Sequence, residues 1–75
     1  METEAVKALA AALVMGMGAI GSGIGEGIIA GKAMESIGRN PGLSDKILTP
    51  MLVGMAADES TAIYSLVVAL IILFT

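Results

Sequence analysis

The sequence has 75 residues, no Cys and no His, and 56% of its residues are hydrophobic, with a mean hydropathy of +0.91. These values exclude a disulfide framework and a conventional zinc site. They also argue against a water-soluble domain, because so small and apolar a chain has too little polar surface to cover itself. The net charge of −3 argues against a nucleic-acid surface, which needs clustered Lys and Arg. We therefore expect one unit that is solvated by lipid, by copies of itself, or by both.

Two apolar stretches divide the chain. The first covers residues 8–31 and is interrupted by Glu26, and the second covers residues 47–75 and is interrupted by Asp58 and Glu59. A helix needs about 20 mainly apolar residues to span a bilayer, and both stretches reach that length if their acids are tolerated. The sequence therefore predicts two transmembrane helices.

The polar segment between the stretches has the composition of a tight turn. Asn40 suits a helix cap, and Pro41 suits the first position of a following helix. The sequence thus predicts an all-α membrane hairpin over residues 1–75, with a helix over about 3–38, a polar loop over about 39–43 and a helix over about 44–75.

The basic residues indicate an orientation. Lys32, Arg39 and Lys46 flank the loop, whereas only Lys7 lies towards the other end of the hairpin. Because cytoplasmic segments carry the excess of Lys and Arg, we expect a cytoplasmic loop and termini on the outer side of the membrane.

The first helix is rich in glycine between residues 16 and 31. Glycine disfavours a helix in water by ~1 kcal/mol relative to alanine, but in a membrane it permits close approach of helices. Glycines at two-residue and four-residue spacing make the helix smooth on two sides, which favours a homo-oligomeric ring over a simple dimer. The residues expected to pack the ring are Gly21, Gly23, Gly25, Gly27 and Gly31.

Three acids lie well inside the predicted spans: Glu26, Asp58 and Glu59. A carboxylate at bilayer depth costs ~2.5–3.5 kcal/mol, so such residues usually pair, bind an ion or stay protonated. At 1.5 Å rise per residue, Glu26 and Glu59 lie ~18 and ~22 Å from the loop. One hairpin, or two adjacent ones, could therefore build a two-carboxylate site that shares a proton.

The surroundings of Glu59 are rich in oxygen atoms. Ser60 and Thr61 follow it directly, and Tyr64 could fix its carboxylate by a hydrogen bond. Hard cations take oxygen ligands, whereas a site that carries only a proton does not need the extra hydroxyls. We therefore expect a metal site for Na⁺ at Glu59, Glu26 and Ser60, in which one ionised carboxylate balances one ion.

The glycine-rich first helix, the Arg39-Asn40-Pro41 loop and the segment from Glu59 to Leu70 resemble the c subunit of F-type ATP synthase. The resemblance covers essentially the whole chain. It implies a ring of hairpins with the glycine-rich helix inside, and it implies that the chain has no catalytic site and no cofactor of its own.

The resemblance also implies a function. Glu59 would carry Na⁺ or H⁺ past the a subunit of the stator, and the turning ring would drive ATP synthesis through the central stalk. Arg39, Asn40 and Pro41 match the segment that grips the stalk. The expected location is the bacterial inner membrane, in contact with lipid.

The two-carboxylate, sodium-binding members of the family offer a residue-level comparison. Glu59, Ser60 and Tyr64 match their pattern, the Ala57 backbone carbonyl would be a further ligand, and Thr61 would act through a water molecule. Glu26 fits the two-carboxylate type, although some proton-coupled members also carry Glu there.

Asp58 departs from the pattern, because a small apolar residue is usual at this position. It either faces the first helix as a further hydrogen-bonding group or perturbs the site. Three alternatives to a sodium-coupled rotor stay open: a proton-coupled rotor, a glycine-zipper hairpin that carries no ions, and the proteolipid of a related rotary ATPase that works mainly as a pump.

Overall fold

The computed structural model describes residues 2–75 as a helical hairpin. Helix α1 spans Thr3–Arg39, a 3₁₀ turn covers Pro41–Leu43, and helix α2 spans Ser44–Phe74. Both α1 and the segment Pro41–Phe74 are long and apolar enough to cross a membrane. The predicted fold class, an all-α hairpin of two membrane-length helices, is confirmed.

The connection is tighter than the expected polar loop. Asn40 leaves the helical region at φ −145° and ψ 90°, which suits a residue that precedes proline. Its backbone N–H still donates to the Ser36 carbonyl at 3.0 Å, so α1 runs through Arg39. Its side-chain oxygen accepts from the Gly42 N–H at 3.2 Å and caps the 3₁₀ turn. The hairpin therefore reverses direction within a few residues.

The interface between the helices is built from small side chains. On α1, Ala11, Ser22 and Ala33 are buried at intervals of eleven residues, which is close to three helical turns. On α2, Ala62 and Ala69 are buried. Large apolar side chains point outwards instead, as expected for a chain that lipid and other subunits cover.

Contacts between the helices run in antiparallel order. Gly18 packs against Ser65, Gly25 against Asp58, and Ile29 against Gly54. These pairs step along α1 by seven and four residues and back along α2 by the same intervals. This register puts Glu26 and Glu59 within about one helical turn of each other in depth.

Candidate functional site

The acids at membrane depth meet around one buried hydroxyl. Ser22 is 3% exposed, and its Oγ lies 3.3 Å from Glu26 Oε2, 3.3 Å from Asp58 Oδ2 and 3.5 Å from Glu59 Oε2. The same oxygen lies 3.4 Å from the Asp58 backbone carbonyl. The depth estimate from the sequence is thus supported, because Glu26 and Glu59 come together within one hairpin.

Glu26 and Glu59 lie close together, because the Oε2 atoms of the two side chains are 3.3 Å and 3.5 Å from the same Ser22 hydroxyl oxygen. Ionised carboxyl groups only accept hydrogen bonds, so a hydrogen bond between the two would require one of them to carry a proton. Glu26 is half-buried and Glu59 is exposed on the hairpin surface. The pair therefore lies at an edge of the α1–α2 interface, open to a neighbouring molecule.

Asp58 faces α1, which decides between the two alternatives left by the sequence. Its carboxyl group contacts Ser22 and lies over Gly25. A Cβ atom at Gly25 would lie 2.5 Å from Asp58 Oδ1, so the glycine makes room for the acid. Asp58 is therefore part of the hairpin's polar centre.

The remaining expected ligands lie on another part of α2. Asp58 points at α1, and successive helical residues are about 100° apart. Glu59 therefore leaves the helix about 100° to one side of Asp58, and Ala57 leaves it about 100° to the other. Tyr64 lies on the same side as Ala57, and its side chain is 69% exposed.

The Ser60 hydroxyl, next to Glu59 in the sequence, is turned to another partner. Ser60 Oγ donates to the Ala57 carbonyl at 2.6 Å, and the Thr61 carbonyl accepts from Ser65 Oγ at 3.1 Å. Within residues 2–75, neither Ser60 nor Tyr64 bonds to Glu59, and no group of three or more Asp, Glu, His or Cys side chains has metal-binding geometry. The surface that carries Ala57, Ser60, Thr61 and Tyr64 is called here the hydroxyl face.

The glycines of α1 divide into two groups. Gly18 and Gly25 pack against α2 within the hairpin. Gly25, expected to pack the ring, therefore serves the α1–α2 interface instead. No atom of α2 lies within 4 Å of the Cβ position of the other expected ring glycines, which are Gly21, Gly23, Gly27 and Gly31.

The turn presents charged side chains to solvent. Arg39 donates to Glu35 at 2.7 Å, and Lys32 lies 3.9 Å from the same carboxylate. Asn40 and Pro41 are exposed between the helices. Exposed pairs of this kind add little stability, and the turn end of the hairpin is a polar surface.

Ser22 is the residue that the sequence analysis missed. A hydroxyl four residues before an acid lies on the same helix face, and Ser22 has this spacing to Glu26. Ser22 is also the single hydroxyl residue in the glycine-rich run, and this feature of the sequence could have indicated its role.

Comparison with known protein families points in the same direction as the hairpin structure. Residues 9–72 match the family described as the C subunit of ATP synthase. The chain belongs to the ATP synthase c-subunit family. It is therefore a non-catalytic membrane rotor subunit, it assembles within a bacterial ATP synthase complex, and its family forms rings.

Individual relatives agree with this assignment. The chain is 56% identical over 66 residues to the ATP synthase c subunit of Geotalea uraniireducens, covering 88% of this chain and 72% of the relative. It is 54% identical over 74 residues to that of Geobacter sulfurreducens, covering 99% and 81%. It is 58% identical over 66 residues to that of Geobacter metallireducens, covering 88% and 72%.

Proposed function

We propose that Glu59 is the ion carrier of this rotor subunit. As the ring turns past the a subunit of the stator, Glu59 binds and releases Na⁺ or H⁺ and so couples ion flow to ATP synthesis. The observation that carries the proposal is the meeting of Glu59 and Glu26 around Ser22, deep within two membrane-length helices. A carboxylate at this depth is costly when charged and empty, so rotation through lipid requires a loaded site.

We propose Na⁺ as the carried ion, with H⁺ as the alternative. Support for Na⁺ comes from the number and type of oxygen atoms on the hydroxyl face, because Na⁺ needs several oxygen ligands and a proton needs one. With Glu26 protonated and Glu59 ionised, a bound Na⁺ makes the site neutral. No metal, organic cofactor or nucleotide takes part apart from the transported ion.

The proposed ion site is completed between two copies of the chain. The carboxyl pair of one hairpin lies at an exposed edge, while the hydroxyl face leaves α2 in another direction. In a ring of identical hairpins, the edge of one subunit that carries the carboxyl pair would meet the hydroxyl face of the next subunit. The Ala57 carbonyl, Ser60, Tyr64 and a water on Thr61 would then close over the Glu59 and Glu26 of the neighbour.

Carbodiimide labelling tests both the carrier and the ion. Dicyclohexylcarbodiimide reacts with protonated carboxyl groups, so we expect it to modify Glu59 in membranes that contain the assembled ATP synthase. Millimolar Na⁺ should slow the modification several-fold, and the protection should weaken as the pH falls, because protons and Na⁺ compete for one carboxylate. The measurement is the rate of Glu59 modification by mass spectrometry.

The outcomes separate the alternatives. K⁺ at equal ionic strength is the control for a general salt effect. If Na⁺ and K⁺ give the same rate at every pH, the carried ion is H⁺. If Glu59 is not modified at any pH, the proposal that Glu59 carries the ion is refuted. This result is expected for the alternative of a glycine-zipper hairpin that carries no ions.

The open glycines support a ring in which α1 helices pack closely. Gly27 has no neighbouring atom within 4 Å of its Cβ position, so Gly27→Leu should leave the hairpin itself intact. In a ring the added side chain separates adjacent subunits, and we expect loss of the intact ring on a non-denaturing gel with helix content unchanged by circular dichroism. Gly38→Leu is the control, because Gly38 is equally open but lies at the end of α1. An intact Gly27→Leu ring would contradict this packing.

The turn and the charge distribution support the orientation of the subunit. Arg39, Asn40 and Pro41 form an exposed polar surface, and Lys32 and Lys46 flank it. We propose that this end is cytoplasmic, in the bacterial inner membrane, and binds the foot of the central stalk.

A further inference from the structure

An apolar groove of about 400 Å³ opens between α1 and α2 close to the turn. Lys32 and Lys46 line it and are exposed, so they stand at its mouth. Apolar surface rimmed by polar residues is typical of an interaction site, and this region is called here the turn groove. Its apolar lining comes from both helices and consists of Ile28, Ile29, Ala33, Ile47, Pro50 and Met51.

The turn groove opens on the same side of the hairpin as the hydroxyl face. Asp58 faces α1, and successive helical residues are about 100° apart, so directions around α2 can be counted from Asp58. Lys46 and Pro50 leave α2 within about 20° of Ala57. The groove therefore continues the hydroxyl face towards the turn, on the side away from the carboxyl pair.

Two exposed leucines lie at the depth of the groove on the opposite side of the hairpin. Leu48 and Leu52 leave α2 within about 20° of Glu59, and they are 51% and 53% exposed. They lie two residues before and two residues after Pro50, which lines the groove. Each hairpin thus carries an apolar groove on one side and apolar projections on the other, at similar depths.

Unpaired charges next to the groove follow the same division. Asp45 lies three residues before Leu48 and so shares its side of α2, whereas Lys46 stands at the mouth of the groove. Every ion pair among residues 2–75 involves Glu35, so neither Asp45 nor Lys46 has an oppositely charged partner within the hairpin. One side therefore presents an acid beside the leucines, and the other presents a base beside the groove.

We propose that the turn groove binds a second copy of this chain: Leu48 and Leu52 of one subunit pack into the groove of the next, and Asp45 of the first pairs with Lys46 of the second. Subunits of a ring are related by rotation about one axis, so every residue keeps its depth and one side meets the other. Exposed ion pairs are weak, so burial of the leucines stabilises the contact and the charges select which sides meet. The inference concerns ring assembly and does not require Glu59 to carry an ion.

A second copy accounts for more of these features than a lipid does. An anionic phospholipid matches the apolar groove and its two lysines, but it provides no partner for Asp45 and leaves the match in depth with Leu48 and Leu52 unexplained. The family also forms rings, and the groove lies on a side that the proposed ion site already assigns to contact between subunits.

Paired cysteines show which sides meet, because the chain has no Cys of its own. The antiparallel register puts Lys32 opposite Met51, within about one residue of Leu52 in depth, yet Lys32 and Leu52 lie on opposite sides of one hairpin. In membranes that contain the assembled ATP synthase, a short bismaleimide should therefore join Lys32→Cys with Leu52→Cys only between copies. We expect a ladder of dimers, trimers and larger species on a denaturing gel.

Two controls give the ladder its meaning. Either single variant can link no more than two copies, since each chain then has one thiol. Lys32→Cys with Lys46→Cys places both thiols at the same groove, so the reagent should join them within one chain and give no ladder.

Charge reversal tests the pairing of Asp45 with Lys46 independently of the cysteines. Lys46→Asp brings like charges together at every boundary, so isolated rings should dissociate at a lower temperature, and high salt should narrow the difference from the parent. Exchanging the two residues, Asp45→Lys with Lys46→Asp, restores opposite charges between copies and should return the temperature most of the way. Both positions lie in the first turn of α2, so the exchange leaves the net charge at the start of that helix unchanged.

The inference is overturned if Lys32→Cys with Leu52→Cys gives no species above the dimer while the control pair reacts within one chain. Labelling of Lys32→Cys by a photoreactive anionic phospholipid, in place of the ladder, would assign the groove to lipid and likewise overturn it. A charge-exchanged ring no more stable than Lys46→Asp contradicts the pairing of Asp45 with Lys46. Carbodiimide labelling of Glu59 is a separate measurement, so loss of this inference is distinguishable from loss of the proposed ion carrier.

Discussion

Glu59→Gln is expected to abolish ATP-driven ion transport. Glutamine has nearly the size of glutamate and can hydrogen-bond Ser22, but it neither ionises nor exchanges a proton. The subunit would keep its fold and its place in the ring, yet the site could not be loaded and unloaded. Transport into membrane vesicles, followed with a pH-sensitive dye and with radioactive Na⁺, should fall to the background of vesicles without the complex.

A matched acid provides the control for Glu59→Gln. Glu35→Gln removes a carboxylate of similar size near the turn, where it pairs with Lys32 and Arg39 on the surface. Such exposed pairs are worth about 0–1 kcal/mol, so transport should stay close to that of the parent. Normal transport in Glu59→Gln membranes with intact rings would refute the carrier role of Glu59.

Much of this fold can be predicted from the sequence because membrane helices obey simple length rules. The sequence predicts helices over about 3–38 and 44–75, and the structure has helices over Thr3–Arg39 and Ser44–Phe74. The constant rise per residue then predicts that Glu26 and Glu59 lie within about one helical turn of each other in depth. Two details differ from the prediction: Arg39 belongs to α1, and the turn is a 3₁₀ helix. The sequence did not predict them because helix ends depend on local hydrogen bonds, which hydropathy does not report.

The rotational setting of α1 could not be predicted in the same way. Seven glycines between residues 16 and 31 leave several faces smooth, and each is compatible with a close neighbour. Gly25 therefore resembles a ring contact in the sequence, although it lies under Asp58. The face of α1 that meets α2 depends on the side chains of α2. The role of Ser22 is therefore visible only once its contact with Asp58 is known.

The separation of Glu59 from the hydroxyl face follows from helix geometry. Neighbouring residues differ by about 100°, so Glu59 and Ser60 cannot both point into a small site on one helix. Sequence proximity suggests a common site, whereas the hairpin turns the Ser60 hydroxyl to the Ala57 carbonyl. The ligands of a sodium site can converge when different copies supply them, which links ion binding to ring assembly.

The close packing of Gly18 against Ser65 leads to a second large expected effect. Gly18 packs directly on Ser65, and a Cβ atom at Gly18 would overlap the Ser65 hydroxyl and lie 2.6 Å from Ser65 Cβ. Rotation of the hydroxyl cannot relieve the second contact, because Cβ is fixed to the backbone. Gly18→Ala must therefore move the helices apart.

We expect Gly18→Ala to destabilise the hairpin by about 1–3 kcal/mol, as overpacking of a close interface usually does. Because Gly18 lies one heptad from Gly25, the shift would also disturb the contacts of Ser22 and Asp58. The temperature at which detergent-solubilised rings dissociate should fall, and it can be read from non-denaturing gels after stepwise heating.

A size exchange across the interface provides the matched control for Gly18→Ala. Ser65→Gly removes both atoms that the new methyl group would meet, so the double variant Gly18→Ala with Ser65→Gly should regain much of the lost stability. Ser65→Ala keeps Cβ and should rescue less. If the double variant is no more stable than Gly18→Ala alone, contact with Ser65 is not what limits residue 18. If Ser65→Gly restores more stability than Ser65→Ala, the contact between residues 18 and 65 sets the distance between α1 and α2. That distance in turn sets the space available to the carboxyl pair.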